Sequence, residues 1–486
     1  MISKLGTDTA NQLIDALSSI ESIASPTFGI ITPSKVILEK NLLSIKKSKM
    51  DSSTASGYVF SKEASKNPQQ YRSLDNAHLI YDGKLTFRKQ HTKLLAKKFN
   101  QNHIEFAKKL IINGTEAFVF CITKMDQLLL GRDPIGIQPL YYGENKTHFV
   151  FASNRRILWN LKIDNPKFFP PGQLCIAKKT GLKFKPVKQF ENSSSISLDL
   201  KNVSKTLLNY LDSSVSANVK DLEKCAIAFS GGLDSSLIAF LAKKYVKKVQ
   251  LIHVSLADRL EINYAKKTAK LLDLPIKIYQ YGESDVQEII SKVLWIIEES
   301  DPVKLSIGIP FYWISKKTKQ LDFDVLLAGQ GADELFGGYK RYLDIYLSKG
   351  QKTTQNQIYS DVVNIHENNL ARDMKICTFH GVTLLCPFLS TEIVDFALRL
   401  PVELKLERKI ESLRKLVLRQ VGRDVGLPSL IVEKPKKAIQ YSTGVNNVLK
   451  RHSISEKKAL NAFKKAKEFT WEKRVKRIVK RIQVKR

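Results

Sequence analysis

The segment that decides the fold reads Phe229-Ser230-Gly231-Gly232-Leu233-Asp234-Ser235-Ser236. It lies between an apolar run at residues 225–228, typical of a buried strand, and an apolar-periodic stretch at residues 237–241, typical of a helix. A turn of small residues between strand and helix exposes backbone N–H groups, and its serines add hydroxyl donors, so the turn is suited to bind an anion. The alternative is a tight turn with a good helix cap, but the serines together with the acid favour a phosphate.

Two further features of this turn suit a polyphosphate. Gly231 and Gly232 let the main chain approach a phosphate closely, and Asp234 offers an oxygen ligand to a Mg²⁺ ion that bridges the phosphates. The spacing is not that of a Walker loop, because no Gly-Lys-Ser/Thr follows. It resembles the PP-loop of ATP pyrophosphatases, which cleave ATP between its α- and β-phosphates.

Length and composition define the class of protein. A chain of 486 residues with 43% hydrophobic residues predicts a globular protein of two to four domains. The formal net charge of +32 favours anionic partners such as nucleotides, RNA or acidic membrane surfaces, without choosing among them. The five cysteines form no CxxC pair and mostly lie in apolar runs, which predicts reduced thiols and a cytoplasmic protein. We expect neither a signal peptide nor a membrane span, because no apolar run approaches about 18 residues.

The second half of the chain alternates strands with helices. Strands are predicted at residues 225–229, 249–255, 276–281 and 324–328, and helices at residues 235–246, 261–272, 285–299 and 306–320. This order predicts an α/β domain with a parallel sheet and crossover helices. Ligands of such sheets bind outside the carboxyl ends of the strands, so the loops after residues 229, 254 and 328 should meet.

The loop after the last of these strands carries two acids. It reads Ala328-Gly329-Gln330-Gly331-Ala332-Asp333-Glu334. Its glycines again allow close backbone approach, and its carboxylates should face Asp234 across the strand ends. Acids that converge on a polyphosphate imply a shared Mg²⁺ ion. The alternative is a helix N-terminus that favours acids because of its dipole.

The first half of the chain predicts a sheet-rich α+β domain. Helical patterns near residues 8–20 and 90–110 accompany short apolar strands, predicted at residues 36–38, 78–81, 117–121, 127–130, 140–142 and 148–151. The run Gly131-Arg132-Asp133-Pro134-Ile135-Gly136 and the residues 151–154 and 169–172 resemble the class II glutamine amidotransferase domain, which has an N-terminal-nucleophile fold. We interpret the Arg-Asp-Pro element as a rigid turn with an internal ion pair, which marks the fold without doing its chemistry.

The resemblance implies a chemistry that this domain has lost. That family uses a cysteine at the mature N-terminus, whose α-amino group acts as base for the thiol. This sequence begins Met1-Ile2-Ser3 and has Cys121 as its first cysteine, and the family's Asn-Gly-Glu element reads Asp82-Gly83-Lys84. We therefore predict a retained but inactive glutaminase domain.

The two loops of the second domain together resemble the synthetase domain of the asparagine synthetase family. Residues 369–373, 381–390 and 434–441 extend the resemblance, which with the first domain covers about residues 25–450. It implies a two-domain protein: an N-terminal-nucleophile-like α+β domain, then an α/β domain of the adenine nucleotide α-hydrolase-like, PP-loop type. It also implies a ligase that adenylates a carboxylate, expected to be aspartate, with release of pyrophosphate, and then transfers ammonia to it.

The resemblance also implies a role for each matched residue. Pyrophosphate and metal would be held by Ser230, Gly231, Gly232, Asp234, Ser235 and Ser236, and the metal also by Asp333. The nucleotide would be lined, mostly through backbone groups, by Phe229, Val254, Ala328 and Gly329. Lys415, with Lys436 or Lys437, would neutralise the leaving group, because prepositioned ammonium groups stabilise charge that builds up in the transition state.

Departures from the family pattern leave the acyl substrate open. Many members carry an acid where this chain has Gln330, which we expect to donate a hydrogen bond to a phosphate or acyl oxygen. The family's Gly-Val-Glu-x-Arg-x-Pro-Phe-Leu-Asp loses both acids and the arginine, at Thr383, Leu385 and Ser390. The alternatives are a lactam-type ligase, a PP-loop enzyme that adenylates tRNA, and a non-catalytic relic.

We divide the chain into an amidotransferase-like domain at residues 1–190, a serine-rich linker at 191–204, a synthetase domain at 205–449 and a basic tail at 450–486. The tail carries fifteen Lys/Arg and three Glu, with apolar residues at partly helical spacing. A docked basic helix is favoured over a nucleic-acid contact. A homodimer is left open.

Overall fold

The computed structural model describes residues 1–6, 9–17, 26–39, 52–61, 71–74, 77–83, 102–114, 116–124, 126–193, 196, 199–257, 260–409, 413–436, 438–452, 454–455 and 457–464. The chain forms two compact units. The first comprises residues 1–191, 363–370 and 389–395, and the second comprises residues 192–362, 371–388 and the chain from residue 396 on.

The first unit is built from antiparallel sheets packed with short helices. Its described strands are β1 (Ile2–Ser3), β2 (Pro26–Ile31), β3 (Val36–Glu39), β4 (Ser56–Ser61), β5 (Tyr71–Leu74), β6 (Ala77–Gly83), β7 (Phe118–Thr123), β8 (Gln127–Arg132), β9 (Tyr141–Glu144), β10 (His148–Ala152), β11 (Lys167–Phe168), β12 (Gln173–Lys178) and β13 (Gly181–Pro186). Its described helices are α1 (Ala10–Leu17), α2 (His103–Asn113) and α3 (Arg155–Asn160). The strands pair in the orders β1-β10-β9-β11, β13-β12-β8-β7-β6-β5 and β3-β2-β4. The six predicted strands are present as β3 and β6 to β10, whereas β1, β2, β4, β5, β11, β12 and β13 were not predicted.

The Arg-Asp-Pro turn of this unit is structural, but its ion pair is not what holds it. Arg132 is fully buried and donates to the carbonyl oxygens of Gln138, Phe169 and Gly136 over 2.5–2.9 Å. Asp133 is also buried and accepts from the backbone N–H groups of residues 135, 137 and 138 over 2.9–3.2 Å. Both side chains therefore satisfy hydrogen-bonding groups of the backbone, because a tight buried turn leaves polar main-chain groups that need partners.

The second unit is an α/β fold around one parallel sheet. The strands are β14 (Lys224–Ala228), β15 (Lys248–Leu256), β16 (Ile276–Tyr281), β17 (Val325–Leu327) and β18 (Thr383–Leu385), in the order β16-β15-β14-β17-β18. The helices after residue 199 are α4 (Leu200–Val219), α5 (Leu233–Ala242), α6 (Leu260–Leu271), α7 (Glu283–Ile297), α8 (Pro302–Gln320), α9 (Ala332–Leu335), α10 (Lys340–Val363), α11 (Ala371–Phe379), α12 (Thr391–Arg399), α13 (Leu416–Asp424), α14 (Ser429–Val432), α15 (Ile439–Ser442) and α16 (Val445–Arg451).

The order of the strands indicates where in the sheet a ligand binds. All four strand pairs of this sheet are parallel, and β15 is buried at every position after Lys248, as expected for a strand covered on both faces. The order reverses between β14 and β17, which makes the carboxyl ends of these two strands the switch point. The four strands and four helices predicted here are confirmed.

Two boundaries differ from the sequence-based expectation. Helix α4 begins at Leu200, inside the predicted linker, because Asp199 caps it by accepting from the backbone N–H of Asn202 over 2.8 Å. In the predicted basic tail, α16 ends at Arg451 and residues 457–464 are helical, while residues 465–486 lie outside the described part. Among the described residues, no helix is long and apolar enough to cross a bilayer.

A buried lysine makes the stability of the second unit depend on pH. Lys405 is fully buried, and within the described residues its Nζ has no hydrogen-bond partner. Burial lowers the pKa of this amine to about 7. The unfolded chain therefore binds a proton between about pH 7 and 10 that the folded chain does not. The free energy of unfolding should fall by up to about 1.4 kcal/mol per pH unit as the pH is lowered through this range.

Lys405→Met is expected to raise the free energy of unfolding at pH 7 by about 2–5 kcal/mol and to flatten its change between pH 7 and 10. Methionine keeps the length of the side chain and removes the amine that resists burial. Urea unfolding at several pH values measures both effects. The exposed Lys349→Met is the control and should shift stability by less than about 0.5 kcal/mol. A Lys405→Met variant no more stable than the parent at pH 7 would contradict the assignment.

Candidate active site

The serine–glycine turn connects the carboxyl end of β14 to α5. Gly231 has a φ of 70°, and a Cβ there would lie 3.1 Å from the Tyr264 ring, so the turn needs glycine at this position. The hydroxyls of Ser230 and Ser235 lie 3.2 Å apart, and the N–H of Gly232 donates to Ser230 Oγ over 3.2 Å. The polar groups of the turn are thus gathered at the strand end. Ser236 is fully buried, and its hydroxyl has no partner within the described residues.

The loop after β17 packs directly on this turn. A Cβ on Gly329 would lie 2.9 Å from Cβ of Asp234, so only a glycine lets the two loops approach this closely. Gly331, with a φ of 89°, precedes the short helix α9, which carries Asp333 in its first turn. The loops therefore meet at the switch point.

Two lysines link the carboxylates of the two loops. Lys415 Nζ lies 2.7 Å from both carboxylate oxygens of Asp234 and 2.6 Å from Oδ1 of Asp333. Lys436 Nζ lies 2.7 Å from Oδ2 of Asp333 and 3.6 Å from Oδ2 of Asp234. The four groups form a compact cluster, which we call the carboxylate–lysine cluster: Asp234, Asp333, Lys415 and Lys436.

The charges of the cluster stabilise one another. Burial alone would raise the pKa of Asp333, but Lys415 and Lys436 outweigh it and hold the pKa of this carboxyl well below its usual range. Burial alone would lower the pKa of Lys436, but Asp333 and Asp234 outweigh it and raise that pKa above its ordinary value. Asp333 and Lys436 are therefore both charged at neutral pH.

The backbone conformation places both lysines in the cluster. Lys415 has a φ of 65° immediately before α13, a left-handed conformation that costs a lysine about 1 kcal/mol. A Cβ on Gly338 would lie 1.9 Å from Asp333 Oδ1 and 2.4 Å from Lys415 Cε, so a glycine is required where they meet. Arg414 donates to the carbonyl of Lys436 over 3.2 Å, and this fixes the segment that carries the second lysine.

Arg419 supports the same segment and was not predicted. Its guanidinium donates to the carbonyl oxygens of Val432 and Lys434, and of Arg414 over 2.6 Å. Burial lowers the pKa of this guanidinium. In the sequence, Arg419 stands four residues after Lys415, a spacing that places two residues on one face of a helix.

Three members of the cluster, all but Asp333, line an open cavity. Its lining is Ser230, Gly232, Leu233, Asp234, Glu261, Lys415, Arg419, Lys434, Pro435, Lys436 and Ser442. Glu261, Lys434 and Ser442 were not predicted. Lys434 Nζ lies 3.3 Å from the centre of the Tyr264 ring, in a cation–π contact. Lys437, which was predicted, lies outside the described residues.

Three of the four residues predicted to line the nucleotide are buried, and the fourth, Gly329, is partly exposed. Phe229, Val254 and Ala328 are each at most 2% exposed, so only their backbone groups could reach a ligand. Part of that backbone is already engaged: the N–H of Phe229 donates to Ile252, and that of Ala328 to Leu385. The carbonyl of Phe229 lies 2.9 Å from Nδ1 of His253, a histidine that was not predicted.

The Gln330 amide, which was expected to donate to a phosphate or acyl oxygen, is engaged by a buried carboxylate. The amide donates to a carboxylate oxygen of Asp373, which also accepts from the Arg372 guanidinium over 2.7 and 2.9 Å. Arg372 and Asp373 are both buried. Nearby in sequence, the buried Lys375 pairs with Glu298 over 2.7 Å. Neither pair was predicted, although charged residues within an apolar helix indicate buried ion pairs.

The donor set fits a magnesium ion bound together with phosphates. Within the described residues, no group of three or more Asp, Glu, His or Cys side chains could hold a metal by itself. Mg²⁺, however, is commonly held by one or two carboxylates plus substrate phosphates. Asp234 and Asp333 share one ammonium group, so they lie close enough together to serve as those two ligands.

Fold and site together define the class of protein: an ATP-using ligase of the PP-loop type, carried on one chain with an N-terminal-nucleophile-like amidotransferase domain. The family profile of asparagine synthase matches residues 206–353 and 346–481, and that of the glutamine amidotransferase domain matches residues 66–160. The chain belongs to the asparagine synthase family.

Two sequence relatives agree with this assignment. A putative glutamine-hydrolyzing asparagine synthetase 1 from Methanocaldococcus jannaschii is 31% identical over 72% of this chain and 74% of its own length. A glutamine-hydrolyzing asparagine synthetase from Sandersonia aurantiaca is 27% identical over 72% and 70%. Among solved structures, glutamine phosphoribosylpyrophosphate amidotransferase from B. subtilis is 16% identical, with a TM-score of 0.31, over 56% of this chain and 64% of that chain.

Proposed function

We propose that this protein is an ATP-dependent ligase that adenylates a carboxylate, aspartate or a close relative, and then transfers ammonia to it. The carboxylate–lysine cluster carries this proposal. Two acids and two ammonium groups are placed beside a serine–glycine turn, at the carboxyl ends of β14 and β17. A site that receives ATP and releases pyrophosphate needs these elements, because both metal ligands and fixed cations must face the phosphates.

In the first step, an oxygen of the substrate carboxylate attacks the α-phosphorus of ATP and the bond to the β-phosphate oxygen breaks. The products are an acyl-adenylate and pyrophosphate. Lys415 and Lys436 are placed to neutralise the charge that develops on the leaving group. Asp234 and Asp333 would hold Mg²⁺, which supplies further neutralisation of the phosphates when it is bound.

In the second step, the lone pair of ammonia attacks the acyl carbon. The bond between that carbon and the AMP oxygen breaks, AMP leaves, and the nitrogen loses a proton to give the amide. This arrangement suits the first step, because the ammonium groups lie at the acids that a metal–nucleotide complex would engage. Phosphate oxygens can then replace the carboxylates as their partners.

We propose aspartate or a close relative as the acyl substrate because of the family to which the chain belongs. Thr383 and Leu385, where family residues are replaced, lie on β18 beside β17. The carbonyl of Leu385 accepts from the N–H of Ala328, at the start of the acidic loop. Substitutions this close to the loop can change which carboxylate fits.

The test is pyrophosphate release from Mg-ATP with aspartate plus ammonium, compared with other amino acids, with tRNA and with no acceptor. Release that no candidate stimulates would overturn the proposal.

We propose ammonia as the nitrogen donor. All five cysteines lie in strands or helices or directly follow one, and burial raises the pKa of each thiol. A thiol with a raised pKa is a poor nucleophile at neutral pH, so none of the five is suited to attack glutamine.

With Mg-ATP and aspartate, ammonium is therefore expected to support amide formation and glutamine is not. The rate with ammonium should increase as the pH rises toward the pKa of ammonium, because only NH₃ carries a free lone pair. Product analysis by chromatography, with each nitrogen source in turn, measures this. Glutamate release from glutamine above the rate without enzyme would show that the chain hydrolyses glutamine after all.

A further inference from the structure

One tyrosine connects two segments that line the cavity. The ring of Tyr264, on α6, lies against the serine–glycine turn, where a Cβ on Gly231 would be 3.1 Å from ring atom Cδ1. The Tyr264 hydroxyl donates to the carbonyl oxygen of Leu430 on α14. Leu430 begins the stretch that ends at Lys436, which we call the lysine segment: residues 430–436. Tyr264 therefore bridges the turn and the lysine segment.

The same ring holds a cation. Lys434 lines the cavity, and its Nζ lies 3.3 Å from the centre of the Tyr264 ring. An ammonium group at this distance is attracted by the negative face of the ring, and the contact adds no negative charge to the cavity. The Lys434 charge also acts on His253, near the carboxyl end of β15: burial lowers the pKa of this histidine, and Lys434 lowers it further. The ammonium group of Lys434 therefore lies near the strand ends of the site.

A second contact fixes the main chain of the lysine segment. Arg419 donates to the carbonyl oxygens of Val432 and Lys434, the second over 3.1 Å. These bonds hold the backbone, but they do not set the direction of the Lys434 side chain, because they involve only main-chain oxygens. The Tyr264 ring is the contact that sets that direction.

The side chains that line the cavity favour a polyanion. Two of them are acidic and four are cationic, namely Asp234 and Glu261 against Lys415, Arg419, Lys434 and Lys436. Lys415 and Lys436 contact carboxylates of the carboxylate–lysine cluster, whereas Lys434 contacts a ring that lies against Gly231. A cation beside the turn suits an anion that the turn binds.

We propose that Tyr264 is a positioning residue that holds the lysine segment against the serine–glycine turn, so that Lys434 becomes a third fixed ammonium group for the phosphates of the nucleotide. This inference rests on the proposed function. Tyr264 contacts no phosphate in this proposal; it acts through Lys434. A lysine that is held in place before the ligand arrives loses less conformational freedom on binding, so the ring contact raises the affinity for phosphates.

The experiment measures the affinity for Mg-pyrophosphate by calorimetry and the KM and kcat for Mg-ATP. Lys434→Met should weaken Mg-pyrophosphate binding about tenfold and raise KM similarly, with kcat within about threefold, because a charge that meets the phosphates throughout the reaction contributes uniform binding. Tyr264→Leu should weaken binding at least about fivefold, since it removes the ring that holds the ammonium group. Tyr264→Phe keeps the ring and should stay within about threefold of the parent.

The double variant Tyr264→Leu/Lys434→Met tests whether the tyrosine acts through the lysine. Its affinity for Mg-pyrophosphate should lie within about twofold of that of Lys434→Met, because both changes remove the same contact. Independent roles would instead multiply the two losses to about fiftyfold. Urea midpoints of all variants show that each one folds, and Tyr264→Phe keeps the packing over Gly231.

A matched control comes from a second lysine–tyrosine pair in the same unit. Lys317 Nζ lies 4.7 Å from the centre of the Tyr279 ring, and neither residue lines the cavity. Lys317 and Lys434 are both half-buried, so Lys317→Met makes the same change of charge and of exposed surface. Lys317→Met and Tyr279→Leu should leave Mg-pyrophosphate affinity within about twofold of the parent.

Three results would overturn the inference. The first is a Lys434→Met variant that binds Mg-pyrophosphate as tightly as the parent or loses no more than Lys317→Met. The second is a folded Tyr264→Leu variant with the affinity of the parent. The third is a double variant as impaired as the product of its two single changes. Failure of the parent itself to bind Mg-pyrophosphate would count against the proposed function instead, so the two failures are distinguishable.

Discussion

Asp234→Asn is expected to lower pyrophosphate release from Mg-ATP by about 10³-fold or more. The change removes the carboxylate that faces Lys415 and Lys436 and that we assign to the metal, and it keeps the shape of the side chain. An amide is a weaker ligand for Mg²⁺ because it carries no charge. The rate is measured as pyrophosphate released with the preferred acyl substrate, and Mg-ATP affinity is measured separately by calorimetry.

Asp234→Asn should lower the free energy of unfolding more than the loss of a carboxylate from a solvent-exposed turn would. A loop carboxylate in water contributes little to folding, but Asp234 accepts two hydrogen bonds from the buried Lys415. We therefore expect a loss of about 1–3 kcal/mol in the free energy of unfolding, with the fold retained. The control is Asp212→Asn, which removes a carboxylate that also bonds to a lysine and a tyrosine, on α4. Activity of Asp234→Asn within a few-fold of the parent would reduce Asp234 to a turn residue.

Lys415→Met is expected to lower pyrophosphate release by about 10²–10³-fold. Lys415 is the group that contacts both carboxylates, and its side chain is only 3% exposed, so its charge is fixed in place before the nucleotide arrives. Lys415→Arg should not restore activity, because the contact with Gly338 leaves no room for a wider guanidinium. Steady-state assays of pyrophosphate release measure the loss in both variants. Lys304→Met is the control, because Lys304 forms an ion pair elsewhere, with Glu299.

The same variant should weaken the contribution of Asp333 to stability versus pH. In the parent, the pKa of Asp333 is held down by Lys415 and Lys436, so its contribution is present above the unfolded pKa and is lost as the pH falls through the folded value. Without Lys415, Lys436 alone of the two lysines opposes the effect of burial, and the folded pKa rises. The destabilisation of Lys415→Met should therefore be smaller at pH 4.5 than at pH 8. An equal loss at both values would show that Lys415 does not set the ionisation of Asp333.

Much of the second unit could be predicted because its signals are local. The alternation of apolar runs with periodic stretches predicted the strands and helices, and the position of two loops after β14 and β17 predicted that Asp234 and Asp333 converge. The physical basis is general: parallel strands place their carboxyl ends on one edge of the sheet. The start of α4 was missed because Asp199, its cap, stands within a polar run.

The partners of the charged residues could not be predicted from local pattern. Lys415 is 181 residues away from Asp234, and Gln330 is 43 residues from Asp373. A lysine in so basic a chain is by default a solvated charge, and only the resemblance to a family singled out Lys415 and Lys436. Similarly, Arg132 and Asp133 attract each other as expected, but their hydrogen bonds to the backbone could not be predicted.

The sequence by itself therefore determined the class of fold, the two loops that meet at the switch point and the family to which they point. Those conclusions depend on periodicity and turn chemistry, which act over a few residues, and on the general rule that parallel strands end at one edge of a sheet. Only the tertiary structure decided that two ammonium groups contact the two acids and that Gln330 faces Asp373. Buried charges and amides take whichever partner the fold brings within about 3 Å, and that choice is made by packing across the whole unit.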